Sequence, residues 1–275
     1  MKKRQKKLAV INDFCGFGRC SLTVSIPIIS AMKIECCPLP TAVFSNHTGY
    51  ESFYKADLTS HLENYINEWK KLNLEFEGIL SGFLSSPLQI EIVKSFFENF
   101  KKDNTLIVID PVMGDGGQLY SSYSPLLAEK MSSLLPYADV LTPNLTEACI
   151  LSGYEYREDI DEKGLLKICE ALSQKGPERI VISGLERGED LENFVFEKGK
   201  KPLTIREHKA GPCRAGTGDV FASIIASDMV NGKDLEFAVR HASAFIAKVL
   251  RRTGELEIPK TDGICFEEFL GEINE

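Results

Sequence analysis

What the chain has little of sets the first limits. Its 275 residues include one tryptophan, five methionines and four histidines, and basic residues are outnumbered by acidic ones, 32 to 40, for a formal net charge of −8 at pH 7. Nucleic acid and anionic membranes call for basic faces, so neither is an expected partner, and any anionic ligand must be held by local geometry. No apolar run reaches the roughly 18 residues that suggest a membrane span. The basic start MKKRQKK leads into a strand-like segment instead of a signal-peptide core, which makes the cytoplasm the expected compartment. The eight cysteines, at 15, 20, 36, 37, 149, 169, 213 and 265, form no C-x-x-C pair and have no histidine at zinc spacing, so reduced thiols are expected. Cys36 and Cys37 are adjacent in an expected strand and should point to opposite faces, which disfavours bridging them. Repeats, low-complexity tracts and linkers are also absent, which implies one domain over residues 1–275.

What is there is an alternation. Short apolar runs such as KLAVIN, GILSG, TLIVID, ADVLT and RIVIS are separated by longer helical patterns. Strands of near-continuous apolar character, each followed by a helix, predict a parallel sheet covered on both faces. From Leu88 onward apolar residues fall at Leu88, Ile92, Val93, Phe96, Phe97 and Phe100, a one-face helical pattern. After Ile182 the texture changes to FVFEKGK and KPLTIREH, which predicts a hairpin before two closing helices.

The stretch AGTGDVFASIIASDMVNG carries the first chemical signal. Phe221, Ile224, Ile225 and Met229 recur at helical spacing, so a helix should begin near Gly218. Gly216, Thr217 and Gly218 then sit where backbone N–H groups are unpaired and the helix dipole is positive, an anion site that needs no lysine. No Lys-Ser or Lys-Thr pair follows, so this is not a Walker A loop. An aspartate beside an anion site would repel a bound phosphoryl group. Asp219 therefore has either the chemical task of taking a proton from an attacking hydroxyl or the plain role of an acidic residue favoured by the dipole.

A second acidic constellation lies upstream. TLIVIDPVMGDGGQLY places Asp110 at the end of a buried strand, followed by a glycine-rich loop with Asp115. Ligands of open α/β sheets bind at such strand ends. ADVLTPNLTEA ends its strand near Thr142, and Glu147 lies in the first turn of a helix that Asn144 could cap. Asp110 and Glu147 together suit Mg²⁺ held partly through water, though Glu147 three residues after Asn144 also resembles a capping box.

At these residues the chain resembles the ribokinase-like superfamily and, within it, the vitamin B6 kinases. GTGD, DPVMGDGG and TPNLTEA have the superfamily form, FSNHTGY (44–50) resembles the substrate-side segment of pyridoxal kinases, and the similarity runs in order from about Leu8 to Leu250. The resemblance implies a three-layer α/β/α fold with a central mostly parallel sheet, a homodimer, and ATP-dependent phosphorylation of the 5′-hydroxymethyl group of pyridoxal, pyridoxamine or pyridoxine. By position, Asp219 matches the family's general base and Gly216, Thr217 and Gly218 its anion hole. Asp110, Asp115 and Glu147 match acidic positions near metal and phosphates, Thr142 and Ser183 polar positions along the nucleotide phosphates, and Tyr120 the tyrosine of the loop over ATP. Thr48 matches a threonine that contacts the pyridine ring, Phe83 an aromatic position near it, and His47 lies inside the substrate segment, where ligand contact and loop packing are both open. ATP and Mg²⁺ are the implied cofactors, and a monovalent cation such as K⁺ is left open.

One departure stands out: where these kinases usually have a serine that bonds the B6 ring, VINDFCGFGRCS has Asp13. An ionised carboxylate there favours a cationic ligand such as pyridoxamine. Relatives that phosphorylate hydroxymethylpyrimidine share the DPVM and TPN-type motifs but typically carry cysteine in place of Asp219 and lack FSNHTGY. That activity is the alternative within enzymes, sugar kinases come third, and a catalytically silent B6- or nucleotide-binding protein is the alternative outside them. His241 and Trp69 fall on apolar helix faces and are expected to be structural, and EKGKK is expected to be a solvated turn.

Overall fold

Alternation along the first strand builds the layers. In β1 (Lys7–Cys15), Leu8 and Val10 enter the apolar cluster on one face of the sheet, and Ala9 and Ile11 enter the cluster on the other. A strand buried on both sides has no polar face to show, which is why it reads as continuously apolar. The computed structural model describes residues 5–274. After β1 come α1 (Leu22–Ala31), β2 (Glu35–Phe44), β3 (Lys55–Asp57), α2 (Thr59–Lys71), β4 (Gly78–Ser81), α3 (Pro87–Phe100) and β5 (Leu106–Ile109). A small ribbon, β6 (Gly114–Asp115) and β7 (Gln118–Leu119), precedes α4 (Pro125–Met131), β8 (Val140–Leu141), α5 (Leu145–Ser152) and α6 (Glu162–Ser173). The chain closes with β9 (Arg179–Arg187), β10 (Asp190–Glu197), β11 (Leu203–His208), α7 (Thr217–Val230) and α8 (Leu235–Glu255).

Nine strands form one sheet in the order β11-β10-β9-β8-β5-β4-β1-β2-β3. The six strands from β9 to β2 run parallel, while β3 on one edge and β10 and β11 on the other join by antiparallel pairing. Helices α1, α7 and α8 cover one face and α2 to α6 the other, giving three layers. The expected hairpin is β10–β11, with Val195 opposite Leu203. Since β2 lies to one side of β1 and β4 to the other, the direction of sheet growth reverses between β1 and β4. A crevice opens at such a switch point beyond the carboxyl ends of the strands.

Helix α3 shows where a face pattern and the packing part. Ser86 caps it by accepting from Gln89 N, proline follows at the first helical position, and Ile92, Val93, Phe96, Phe97 and Phe100 are buried as their spacing predicts. Leu88 is instead 58% exposed. Gln89 takes the inward place because its amide donates to Thr41 O and Thr59 Oγ1, both at 2.9 Å, and accepts from Ser85 N at 2.8 Å, tying β2, α2 and α3 together. All eight cysteines are free thiols, and among the described residues no helix is long and apolar enough to cross a membrane. Phe96 is fully buried and packs on Trp69, Phe76 and Phe100. Phe96→Ala is expected to lower unfolding free energy by about 3–5 kcal/mol in urea titration, with the slope unchanged.

Candidate active site

The crevice is floored by the start of α7. Gly216 caps the helix at φ 82°, a left-handed conformation, and a Cβ there would fall 2.2 Å from Arg19 O, so both the dihedral and the close approach require glycine. The Thr217 hydroxyl donates back to Arg214 O at 3.0 Å. Gly218 is exposed, and a Cβ on it would meet only Asp110 Oδ2, at 4.0 Å. Open space therefore separates the bare helix start from the Asp110 carboxylate, and the first-turn N–H groups face it without helical partners.

Asp219 follows at once, held by both oxygens. Asn12 Nδ2 donates to Oδ1 at 3.0 Å and Ser21 N to Oδ2 at 2.7 Å. Asn12 is itself fixed, because its Oδ1 accepts from Asp13 N at 3.0 Å and Phe83 N at 2.9 Å. Ser21 sits at φ 57°, a conformation that typically costs a non-glycine residue on the order of 1–3 kcal/mol. Its hydroxyl donates to Asp13 Oδ1 at 2.6 Å, which offsets that cost and aims its N–H at Asp219. Neither Asn12 nor Ser21 was singled out from the sequence. The only signal was a polar residue at the carboxyl end of a strand otherwise buried on both faces.

Asp110 and Asp219 line one cleft with Asn12 and Gly82. Burial, together with the charges of Glu147 and Asp219, pushes Asp110 well above the ordinary carboxylate range, against the opposing Thr142 hydroxyl. Burial raises Glu147 to about 8, against hydrogen bonds from the amides of Asn144, Met113 and Gly114. Asp13 is raised to about 7 by burial, with the Ser21 hydroxyl opposing and Asp219 adding. Burial also raises Asp219, opposed by Ser21 N–H and Asn12. The Lys55 charge opposes the rise at Asp13. A cation sharing the cleft would relieve the burial and mutual repulsion that raise these carboxyls.

The capping box of α5 is fully formed: Asn144 Oδ1 accepts from Glu147 N at 3.0 Å, and Glu147 Oε2 accepts from Asn144 N at 2.9 Å. Glu147 Oε1 accepts from Met113 N at 3.0 Å, so the same carboxylate pins the DPVM loop. Among the described residues no three acidic, histidine or cysteine side chains converge as a metal cage. The donor set fits a hard cation such as Mg²⁺ that keeps most of its water and leans on substrate phosphates, with Asp110 the freer carboxylate.

The remaining expected residues fall along the same edge. Thr142 is buried after β8, and Ser183 lies beside it, its N and Oγ donating to Pro143 O at 2.9 and 3.4 Å. Asp115 is exposed at the tip of the β6–β7 ribbon and accepts from Gly116 N at 2.8 Å, and Tyr120 just beyond is 40% exposed. On the opposite side Thr48 is half-buried in the turn of the 45–54 loop. Phe83 is 8% exposed, with its ring 5.9 Å from Phe44 and 5.8 Å from Tyr123. Both nitrogens of His47 are engaged within the protein: Nδ1 accepts from Gly49 N at 3.0 Å, so Nε2 carries the proton and donates to Thr261 O at 2.6 Å. His241 pairs with Asp228 at 2.7 Å, and the Lys200 turn forms ion pairs with Glu197, both away from the cleft.

Comparison with known proteins gives the family. The family profile for phosphomethylpyrimidine kinase matches residues 27–263. Pyridoxal kinase of Arabidopsis thaliana is 30% identical over 226 residues, covering 78% of this chain and 72% of that protein. The crystal structure of a candidate phosphomethylpyrimidine kinase from Bacteroides thetaiotaomicron superposes with a TM-score of 0.96 at 37% identity, covering 100% of this chain and 96% of the other, and an orthorhombic form of that protein was solved with pyridoxal. Pyridoxal kinase from Lactobacillus plantarum superposes with a TM-score of 0.91 at 26% identity, covering 98% and 97%. The fold is thus ribokinase-like, three layers around a mostly parallel sheet. The chain belongs to the phosphomethylpyrimidine kinase family and, within it, to the pyridoxal kinases.

Gly218→Ala separates packing from chemistry, because the added methyl meets no backbone and lies toward Asp110. It is expected to leave the melting temperature unchanged while lowering kcat/KM for ATP at least about ten-fold by crowding the open space before Asp110, as steady-state kinetics at varied ATP would read.

Proposed function

We propose that this chain transfers the γ-phosphoryl group of ATP to the 5′-hydroxymethyl group of a B6 vitamer, with Asp219 as general base. One observation carries the reading: a carboxylate restrained through both oxygens, by Asn12 and by the Ser21 amide, stands at a bare helix start that opens toward Asp110. A carboxylate placed there only to suit the helix dipole would not need two further groups to fix its direction.

Asp219 takes the proton of the vitamer hydroxyl as its oxygen forms a bond to the γ-phosphorus. The bond between that phosphorus and the β,γ-bridging oxygen breaks, and ADP leaves with the electron pair. The amides of Gly216 to Gly218 stabilise charge on the moving group, acting from fixed positions that need no reorganisation. Burial makes Asp219 a stronger base than an exposed aspartate, and the bonds from Asn12 and Ser21 stabilise its ionised form. Mg²⁺, held near Asp110 with Glu147 bracing the adjoining DPVM loop, would neutralise phosphate charge among the acidic groups. Asp115, Tyr120, Thr142 and Ser183 flank the nucleotide phosphates, and Thr48 and Phe83 border the vitamer.

The enzyme acts as a single kinase domain, a homodimer in the cytoplasm. The curated pyridoxal kinases and the pyridoxal-bound Bacteroides structure support the vitamer over hydroxymethylpyrimidine, although the family profile is named for phosphomethylpyrimidine kinase. ADP release measured with each vitamer and with hydroxymethylpyrimidine, with and without Mg²⁺ and K⁺, tests the assignment. No turnover with any acceptor would leave a binding protein instead.

Asp219→Ala is expected to cut kcat by about 10²- to 10⁴-fold while the affinity for ATP stays near parental in calorimetry. Parental turnover would remove Asp219 as the base. Asp13 gives a second expectation. With its carboxyl raised to about 7, it is increasingly ionised as the pH climbs through neutrality. The kcat/KM ratio of pyridoxamine to pyridoxal should therefore rise from pH 6 to pH 8, and Asp13→Ser should flatten that rise.

A further inference from the structure

Beyond α8 the chain turns back toward the start of α7. There it contacts three loops that are far apart in sequence. Arg214, in the loop that leads into the helix start, donates to Ile258 O at 2.6 Å and Pro259 O at 2.9 Å. His47 donates to Thr261 O, and the Tyr50 hydroxyl donates to Asp262 Oδ1 at 2.8 Å, both from the 45–54 loop. Arg19, two residues before Ser21, donates to Asp262 O at 3.1 Å and to Glu267 Oε1 at 2.6 Å.

The packing between these contacts is close. A Cβ on Gly263 would lie 2.8 Å from Gly18 O, and one on Gly18 would lie 2.4 Å from His47 Cδ2. The rings of His47 and Tyr50 are 4.7 Å apart, and Phe17 packs 5.7 Å from Tyr50. The segment is anchored in turn, since Cys265 N donates to the Thr253 hydroxyl of α8 at 2.9 Å, and that residue is fully buried. Most of the acceptors are backbone carbonyls of one short stretch, so movement of any of the three loops is passed to the others through a shared support.

We infer that residues 258–267 form a clasp that couples the nucleotide side of the cleft to the vitamer side, with Arg214, Tyr50 and Asp262 as positioning residues. The inference rests on the kinase reading above, and it assigns the His47 ring to the clasp instead of to the vitamer. Filling the phosphate position steadies the 211–216 loop. Through Arg214 this steadies residues 258–262, and through His47 and Tyr50 the loop that borders the vitamer. Bound nucleotide therefore tightens vitamer binding, and by linkage the vitamer tightens nucleotide binding by the same factor.

Calorimetry on the full chain tests this without reference to turnover, using pyridoxal alone, adenylyl imidodiphosphate with Mg²⁺ alone, and each in the presence of the other. The parent is expected to bind pyridoxal about five-fold or more tightly when the nucleotide analogue is present. Tyr50→Phe removes one hydroxyl and keeps the ring packing. It should bring that factor below about two while the affinity for the analogue alone stays within about two-fold of parental. Asp262→Asn, which keeps an acceptor for the Tyr50 hydroxyl, should retain the coupling, and Arg214→Ala should lose it. Circular dichroism melting checks that each variant is folded. Binding of both ligands by the parent without coupling, or parental coupling in Tyr50→Phe and Arg214→Ala, overturns the clasp. Failure of the parent to bind either ligand overturns the kinase reading and the clasp with it.

Discussion

The grip on the Asp219 carboxylate is the constraint on which the rest of the site depends. Two donors from the far end of the chain, the Asn12 amide and the Ser21 backbone N–H, fix the direction of an acid that belongs to α7. Each donor is secured by something else: Asn12 by the amides of Asp13 and Phe83, Ser21 by Asp13 at the cost of a left-handed backbone. A base acts only when it stands within hydrogen-bond reach of the proton it removes, so in the proposed reaction this supporting layer is as much a part of the chemistry as the acid. The topology puts it there, because β1 ends at the switch point where α7 also begins.

Charge is the second organising feature. Four carboxyl groups sit in or beside one cleft with little basic compensation, and desolvation raises all of them. In a protein of net negative charge such a cluster is costly unless a cation shares it. In the proposed reaction the phosphates are received by a helix start with glycines instead of by lysine, so the anion and cation sites are built from backbone and carboxylate alone. On that reading an acidic chain with no Walker lysine handles a polyanionic substrate.

Much of the architecture was legible because it is periodic. Near-continuous apolar strands and one-face helices reported a sheet covered on both sides, and β1 and α3 follow those patterns closely. Leu88 departs because Gln89 found hydrogen-bond partners in β2 and α2, a gain no local pattern can show. Glu147 carries the two roles its spacing suggested as alternatives, for its carboxylate completes the capping box and also holds Met113 of a loop more than thirty residues upstream. His47 lay in a recognisable substrate segment, yet both its nitrogens are taken up by Gly49 and Thr261.

The sequence by itself determined the layered α/β class, the acidic character, the bare helix start at Gly216 to Gly218 and the presence of acids at strand ends. These depend on neighbours within a turn or a strand, and local order records them. Only the tertiary structure decided that Asn12 and Ser21 restrain Asp219, that Asp110 faces Gly218, and that residues 258–267 bind three loops together. Such contacts join positions from 44 to 212 residues apart, and polar residues leave no periodic trace of the partners that burial will force upon them.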